Sequence, residues 1–207
     1  MNMAQRVAYA IEDAGNGKLG SALMHASAAL DGTGARLYPD LGVRDRFVKT
    51  FHRYLWAIEP MLAIGINLEE TIFEWIALKN RPALFSEVMY EIFRCNLVHG
   101  TDIPKGFGVS LQNSSEHRSI AMGHQELVIP STIIFSLLSA AVFSEANRDQ
   151  RINNGNYWLS CGSMYFTIDE WWGRESDARI CFSTVKMPRI TMKFDAQPSQ
   201  APTTLHK

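Results

Sequence analysis

Apolar residues recur at helical spacing through most of the first two thirds of this sequence, and this pattern constrains the fold most. Between Val43 and Ala57, for example, Phe47, Phe51 and Tyr54 fall on one face of a helix. Glycine, proline and Asx residues interrupt the pattern at short intervals, as expected at helix ends. The spacing predicts helices over residues 4–14, 18–30, 43–57, 67–78, 82–99 and 131–147.

The pattern changes after residue 150. The stretches YWLSCGSMYFTIDEWWG and ARICFSTVKMPRITMKFD are richer in aromatic and β-branched residues, which favours short strands. The sequence therefore predicts a helical domain over residues 1–150, a small β-rich extension over 151–195 and a disordered tail over 196–207. The aromatic side chains of the extension are interpreted as packing groups, with a nucleotide-stacking surface as the alternative. They are Tyr157, Trp158, Tyr165, Phe166, Trp171 and Trp172.

Composition indicates a soluble cytoplasmic protein. The formal net charge is −1, with 20 basic and 21 acidic residues, so no strong overall field would gather nucleic acid or acidic membranes. The 3 cysteines show no CxxC spacing, which argues for a reducing compartment and against a zinc cluster. The N-terminus has no signal-peptide pattern, and the apolar window at 127–143 falls short of a membrane span. No membrane, metal or cofactor is predicted.

Three minor motifs have ordinary explanations. GNGKLG at residues 15–20 matches a dinucleotide fingerprint by letters, but a helix precedes it, so it is interpreted as a turn between helices. Arg46, Lys49 and Arg53 share a helix face and are candidates to contact phosphate, although a solvated basic face is the commoner explanation. The histidines and arginine of the loop at 117–124 match no metal-ligand spacing.

RCNLVHG, residues 94–100, differs because it places an arginine and a histidine in the last turns of a core helix, just before Gly100. Arg94 and His99 lie five residues apart, about 140° around a helix axis, so only the length of arginine brings its guanidinium toward the histidine. The negative end of the helix favours a protonated imidazole. Histidine moves protons near neutral pH and arginine holds phosphate, so the pair suits phosphodiester chemistry without a metal. The alternative is a capping histidine and an arginine paired with Glu91 or Glu70.

RCNLVHG resembles the signature of the HEPN superfamily, in which an arginine is followed after four to six residues by a histidine near the end of a bundle helix. The resemblance implies a mainly α protein, a HEPN-like antiparallel helical bundle with a small β-containing C-terminal extension. It also implies a homodimer that brings two Arg–His motifs into one cleft. Many HEPN proteins are metal-independent endoribonucleases of toxin–antitoxin, phage-defence or RNA-processing systems. By this resemblance Arg94 and His99 are the catalytic residues, and RNA and an antitoxin or regulatory protein are the expected partners.

The residues around the motif leave a second function open. Cys95 follows the arginine where the nucleases often carry a polar residue such as Asn or Asp, and Asn96 comes one position later. Cys95, Asn96, Arg46, Lys49 and Arg53 are the candidate substrate-binding residues. Other HEPN members are noncatalytic and bind nucleotides, RNA or proteins. The alternatives are such a binding module, or a structural dimer in which Arg94 and His99 only secure the helix end.

Overall fold

Most of the chain is covered by the structure, a computed structural model that describes residues 1–63, 65–78, 81–111, 120–123, 126–152, 155–185 and 188–194. Helices dominate the first part. They are α1 (Met3–Gly15), α2 (Leu19–Leu37), α3 (Val43–Arg53), α4 (Leu55–Leu62), α5 (Phe85–Val88), a π-helical turn (Met89–Arg94) and α6 (Cys95–Val98). The later helices are α7 (Thr132–Phe143), a 3₁₀ turn (Glu145–Asn147), α8 (Ile168–Trp171) and α9 (Glu175–Ser183).

The prediction of a mainly α, HEPN-like helical bundle is wrong, because the described residues form a mixed α/β fold with three small sheets. The strands are β1 (Ile72–Leu78), β2 (Arg81–Leu84), β3 (Phe107–Ser110), β4 (Ala121–Gly123), β5 (Glu126–Pro130), β6 (Trp158–Cys161), β7 (Met164–Thr167) and β8 (Lys193–Phe194). The sheet orders are β2-β1-β8, β3-β5-β4 and β6-β7. Five of these strands lie before residue 150, within the predicted helical domain: β1 and β2 lie where helices were predicted, and the other three lie between the predicted helices at 82–99 and 131–147.

The predicted fourth helix is instead β1. Ile72, Phe73, Trp75 and Ile76 are β-branched or aromatic, and β1 pairs antiparallel with β2, so cross-strand packing outweighs the capped helix start that the sequence suggested. Pro82 consequently lies in β2, and the next helix begins at Phe85 rather than at the proline.

The core centres on α2 and α7. Helix α7 is buried around nearly its whole circumference, as expected of a helix that is apolar on every side. Helix α2 packs against α1, α3 and α7 and continues to Leu37, past the predicted end at Asp31–Gly32. The predicted turn at GNGKLG is confirmed, since α1 ends at Gly15 and α2 begins at Leu19.

The C-terminal part contributes to the same core. The hairpin β6–β7 confirms the first predicted strand region. The second, at 178–195, begins within α9 and, among its described residues, contains only the short strand β8. Phe166 and Phe182 stack with a centroid distance of 5.6 Å, and each contacts the ring of Phe143 on α7. The division at residue 150 stays a prediction, and the tail at 196–207 lies outside the described residues. Within the described segments, no helix is both long and apolar enough to cross a bilayer.

Candidate functional site

The RCNLVHG motif follows an unusual helix. Residues 85–98 run continuously through α5, the π-helical turn and α6, and the Cys95 N–H donates to the Tyr90 carbonyl, five residues earlier. A π-helical turn is rare and is found frequently at functional sites. This turn ends at Arg94, the first residue of the motif.

The wider turn decides which side chains meet. Residues five apart diverge by about 140° on an α-helix, but the π-helical turn brings Tyr90 and Cys95 into side-chain contact. Burial first, and then the Cys95 thiol, raise the pKa of Tyr90. Arg94 and His99 have the same separation, but the helix between them is α-helical, since the His99 N–H donates to the Cys95 carbonyl at 3.0 Å. The two predicted catalytic side chains therefore diverge within one chain.

Arg94 turns toward α2, where Asp31 bridges it to a second arginine. The Asp31 Oδ2 accepts from Arg94 Nη2 at 2.9 Å, and its Oδ1 accepts from Arg46 Nε at 2.8 Å. The exposed fractions of the Asp31 and Arg94 side chains are only 12% and 14%. The structure thus joins Arg46 to Arg94, two predicted site residues, through a carboxylate that sequence reasoning missed.

The Arg94 guanidinium is only partly satisfied. Its Nε is buried without a hydrogen-bond partner, because Asp31 gives one oxygen to each arginine instead of both to one. The guanidinium carbon, Cζ, lies 5.3 Å from the centroid of the Tyr90 ring, which is a cation–π contact. Among the described residues, none accepts a hydrogen bond from its Nη1. One amino group is therefore left to meet an anion.

His99 lies at the exposed end of the same helix. The end is a Schellman motif: Gly100 has a φ of +69°, and the Thr101 N–H donates to the Asn96 carbonyl at 2.9 Å. Gly100 is thus confirmed as the residue that ends the helix. The His99 imidazole is exposed and makes no hydrogen bond or ion pair with any described residue. The alternative interpretation, in which Arg94 pairs with Glu91 or Glu70, does not hold, because Arg94 binds Asp31 and Glu91 binds Arg44.

Asn96 is occupied locally. Its amide donates to the Ile92 carbonyl at 2.7 Å, and its Oδ1 accepts from the Thr101 hydroxyl at 2.9 Å. The first contact gives a carbonyl of the π-helical turn a side-chain donor, and the second ties the helix end to Thr101. Asn96 therefore supports the helix end, while the half-buried Cys95 faces Tyr90.

Lys49 and Arg53 lie apart from Arg94. The Lys49 ammonium is 4.4 Å from the centroid of the Tyr38 ring, and the Arg53 guanidinium contacts Glu175 on α9 at 3.3 Å. Arg46, Lys49 and Arg53 share a face of α3 but bind three different partners. They do not form one open basic surface.

A second ion network adjoins the helix at residues 85–98, called the motif helix below because it carries Arg94. Glu87 accepts from Arg44 and Arg81, each at 2.6 Å, and from the Leu84 N–H at the start of α5. Burial opposes ionisation of this carboxyl, but the arginines and the backbone N–H prevail and lower its pKa to about 2. Arg44 also binds Glu91 at 2.8 Å. This network fixes α3 against the motif helix.

The signal for Asp31 was present in the sequence. It is an acidic residue within the otherwise apolar and small-residue stretch ASAALDGTGA, and a carboxylate on a packed helix requires a cation. Reading Asp31–Gly32 as a helix end concealed this requirement. The loop residues His117, Arg118 and His124 lie outside the described residues.

Comparison with known proteins identifies the family. The sequence model of the family described as Rv1289 matches residues 2–197. The chain belongs to the Rv1289 family. It is similar to the uncharacterized protein Rv1289 of Mycobacterium tuberculosis H37Rv and to the uncharacterized protein Mb1320 of Mycobacterium bovis. Each is 30% identical over 180 residues, which cover 84% of this chain and 84% of the relative. No solved structure matches the chain.

Proposed function

We propose that this protein is a metal-independent endoribonuclease whose site forms when two copies bring their Arg94 and His99 side chains together. The observation that carries the proposal is that His99 is exposed and has no partner among the described residues, on the helix that also holds Arg94, whose Nη1 has no described acceptor. The resemblance of RCNLVHG to the HEPN signature agrees with this chemistry. Pairing of two copies supplies what one chain lacks, because Arg94 and His99 diverge on their own helix.

The proposed reaction is an internal transfer at the RNA phosphate. The ribose 2′-oxygen attacks the adjacent phosphorus while His99 of one copy accepts the 2′-OH proton. The bond from phosphorus to the 5′-oxygen breaks, and the histidine of the other copy supplies a proton to that oxygen. The products are a 2′,3′-cyclic phosphate and a 5′-OH. Arg94 binds the phosphate and stabilises the charge that develops on it.

A second function, a noncatalytic RNA- or nucleotide-binding module, is favoured by a different observation. Asp31 already neutralises Arg94 in the single chain and holds it at 2.9 Å, so the arginine is partly withdrawn from a phosphate. A protein that binds RNA without cleaving it does not need Arg94 at the reacting phosphate, so it would tolerate this contact with Asp31. A regulatory or antitoxin protein that covers His99 would fit either function.

RNA cleavage in EDTA tests the proposal. Purified protein is incubated with mixed tRNA and mRNA, and the ends of the products are mapped. We expect cyclic phosphate ends with the wild type and a loss of at least a hundredfold in rate with His99→Ala, the scale of one positioned proton-transfer group. Arg94→Lys keeps the charge beside Asp31 but loses the planar fork, and it should lose most of the rate.

The controls separate chemistry from folding and contamination. Arg36→Ala removes an exposed arginine bound to Asp149 and should leave cleavage unchanged. Cleavage that persists in folded His99→Ala protein would contradict the nuclease. Intact RNA together with His99-dependent RNA binding would establish the noncatalytic module instead.

A further inference from the structure

The hairpin β6–β7 presents two aromatic side chains to solvent. Trp158 is 60% exposed and Tyr165 is 70% exposed, whereas most aromatic residues of this region are packed against the core. Ser160 pairs with Tyr165 and Trp158 pairs with Thr167, so the two rings are diagonal neighbours on one face. Diagonal positions across antiparallel strands lie about 7–8 Å apart, within reach of large rings. The two rings therefore form one aromatic surface.

The opposite face of the hairpin holds this surface in place. Leu159 and Phe166 are each 1% exposed, and Phe166 packs against Trp171 with a centroid distance of 4.7 Å. An exposed ring on an anchored strand binds a ligand with little loss of conformational freedom. Packing explains Phe166 but does not explain Trp158 or Tyr165.

A pocket of about 290 Å³ adjoins the aromatic surface. It is lined by Met61, Thr132, Phe135, Trp158, Leu159 and Ser160. Its walls are largely apolar and aromatic, its polar side-chain groups are the hydroxyls of Thr132 and Ser160 and the indole N–H of Trp158, and none of its lining residues is charged. Its size is at the lower end of the range of about 300–1,000 Å³ for small-molecule sites. The pocket is therefore suited to a neutral, flat ring with polar edges.

We propose that Trp158, Tyr165 and this pocket stack the unpaired bases of single-stranded RNA. This inference rests on the proposed RNA function and names its substrate class. The chemistry favours bases over phosphates, because aromatic rings offer stacking, the Ser160 hydroxyl offers hydrogen bonds, and no cation lines the pocket. The Thr132 hydroxyl already donates to the Leu62 carbonyl at 2.8 Å, so it can only accept from a base. It also favours RNA over a protein partner, because two rings beside one small pocket fall short of the roughly 800 Å² per partner of a stable protein interface. Bases within a duplex cannot reach such a surface.

Binding of short oligonucleotides tests this inference. All proteins keep His99, the RNA carries 2′-O-methyl groups so that it cannot be cleaved, and anisotropy follows a labelled single strand and a hairpin-free duplex of the same sequence. We expect tighter binding of the single strand. Trp158→Ala and Tyr165→Ala should each weaken it about tenfold, in line with stacking energies of about 1–3 kcal/mol per base. Trp158→Phe should restore most of the affinity.

Ile180→Ala is the matched control, because Ile180 is also an exposed apolar residue, at 68%, but lies on α9. Trp158 and Tyr165 are both more than half exposed, so replacing either with alanine should leave the core intact. Unchanged affinity in Trp158→Ala and Tyr165→Ala would overturn this inference even if the wild type cleaves RNA. Weakened binding in these variants without wild-type cleavage would support the stacking surface and contradict only the nuclease. An absence of RNA binding in every variant would overturn it as well.

Discussion

At the residue scale, Asp31 determines the environment of the candidate site. One carboxylate binds both Arg46 and Arg94, so it holds the arginine of the motif against α2 rather than over the exposed end of the helix. A phosphate that approaches Arg94 meets a guanidinium whose orientation is already set. The same carboxylate also weakens the charge that would attract that phosphate. Asp31 is therefore both a support and a competitor for the proposed ligand.

Replacing Asp31 should destabilise the protein strongly. Asp31→Ala leaves two largely buried guanidinium groups without their carboxylate, and we expect a loss of about 3 kcal/mol in the free energy of unfolding. Asp149→Ala is the matched control, because Asp149 binds Arg36 but is 63% exposed, so its removal should change stability far less than that of Asp31. Urea denaturation measures both. Equal, small effects in the two variants would show that the bridge is not a structural support.

At the scale of elements, close contact between α2 and α3 positions Arg46 beside Asp31. Gly34 on α2 permits this approach: a Cβ there would lie 2.7 Å from the Thr50 hydroxyl and 2.9 Å from the Arg46 carbonyl. The second neighbour is backbone, so it cannot rotate away. Helix spacing, rather than the side chains alone, therefore sets the geometry around Arg94.

Gly34→Ala should separate the two helices. We expect a loss of about 1–3 kcal/mol in the free energy of unfolding, the cost of overpacking a close contact. Gly20→Ala, in the same helix, meets only the Leu97 side chain at 3.7 Å, and it should be neutral or stabilise α2 by up to about 1 kcal/mol. Thermal and urea denaturation compare the two variants. A stabilised Gly34→Ala protein would mean that α3 adjusts freely.

At the scale of the whole molecule, buried carboxylates connect distant parts of the chain. Glu87 ties α3 and β2 to the motif helix, and Glu175 ties α9 to Arg53 and Tyr54. Burial disfavours the charge on Glu175, but hydrogen bonds from Tyr54 and Arg179 and the nearby Arg53 lower its pKa overall. Both carboxyls are therefore stronger acids in the folded protein than in the unfolded chain.

Acid should weaken the fold through these groups. Because the pKa values of Glu87 and Glu175 are lower in the folded protein, their carboxyls take up protons in the unfolded chain at a higher pH than in the folded one. Their contribution to stability is therefore present above the unfolded pKa of about 4.5, and for Glu87 it is lost as the pH falls toward 2. The Glu87 carboxyl, with its pKa of about 2, should account for up to about 3 kcal/mol of this loss. Urea midpoints measured from pH 7 to pH 3 report it.

The matched variants assign the acid effect. Glu87→Gln should be less stable at pH 7 but should lose less stability on acidification, because one of the titrating groups is gone. Glu170→Gln removes an exposed carboxyl and should reproduce the wild-type pH profile. Identical profiles for all three proteins would exclude Glu87 as the source.

The sequence by itself determined the features that depend on neighbouring residues. Helical spacing predicted α1, α3 and α7, Gly100 marked the end of the motif helix, and alternation predicted β6–β7, because side-chain periodicity and backbone freedom act locally. The RCNLVHG motif could be recognised for the same reason, because its residues are close together in sequence. The α-helical hydrogen bond from His99 to Cys95 also places Arg94 and His99 on different sides of the helix, as their spacing predicted.

Tertiary structure decided what depends on distant partners. Residues 72–78 became a strand because β2 and β8 pair with them. The start of the predicted strand region at 178–195 instead belongs to α9, which Glu175 and Phe182 anchor. Asp31 reaches Arg94 across 63 residues of sequence, and no local pattern reports that pairing. Pairing, burial and charge neutralisation are energies between remote segments, so only the folded chain reveals them.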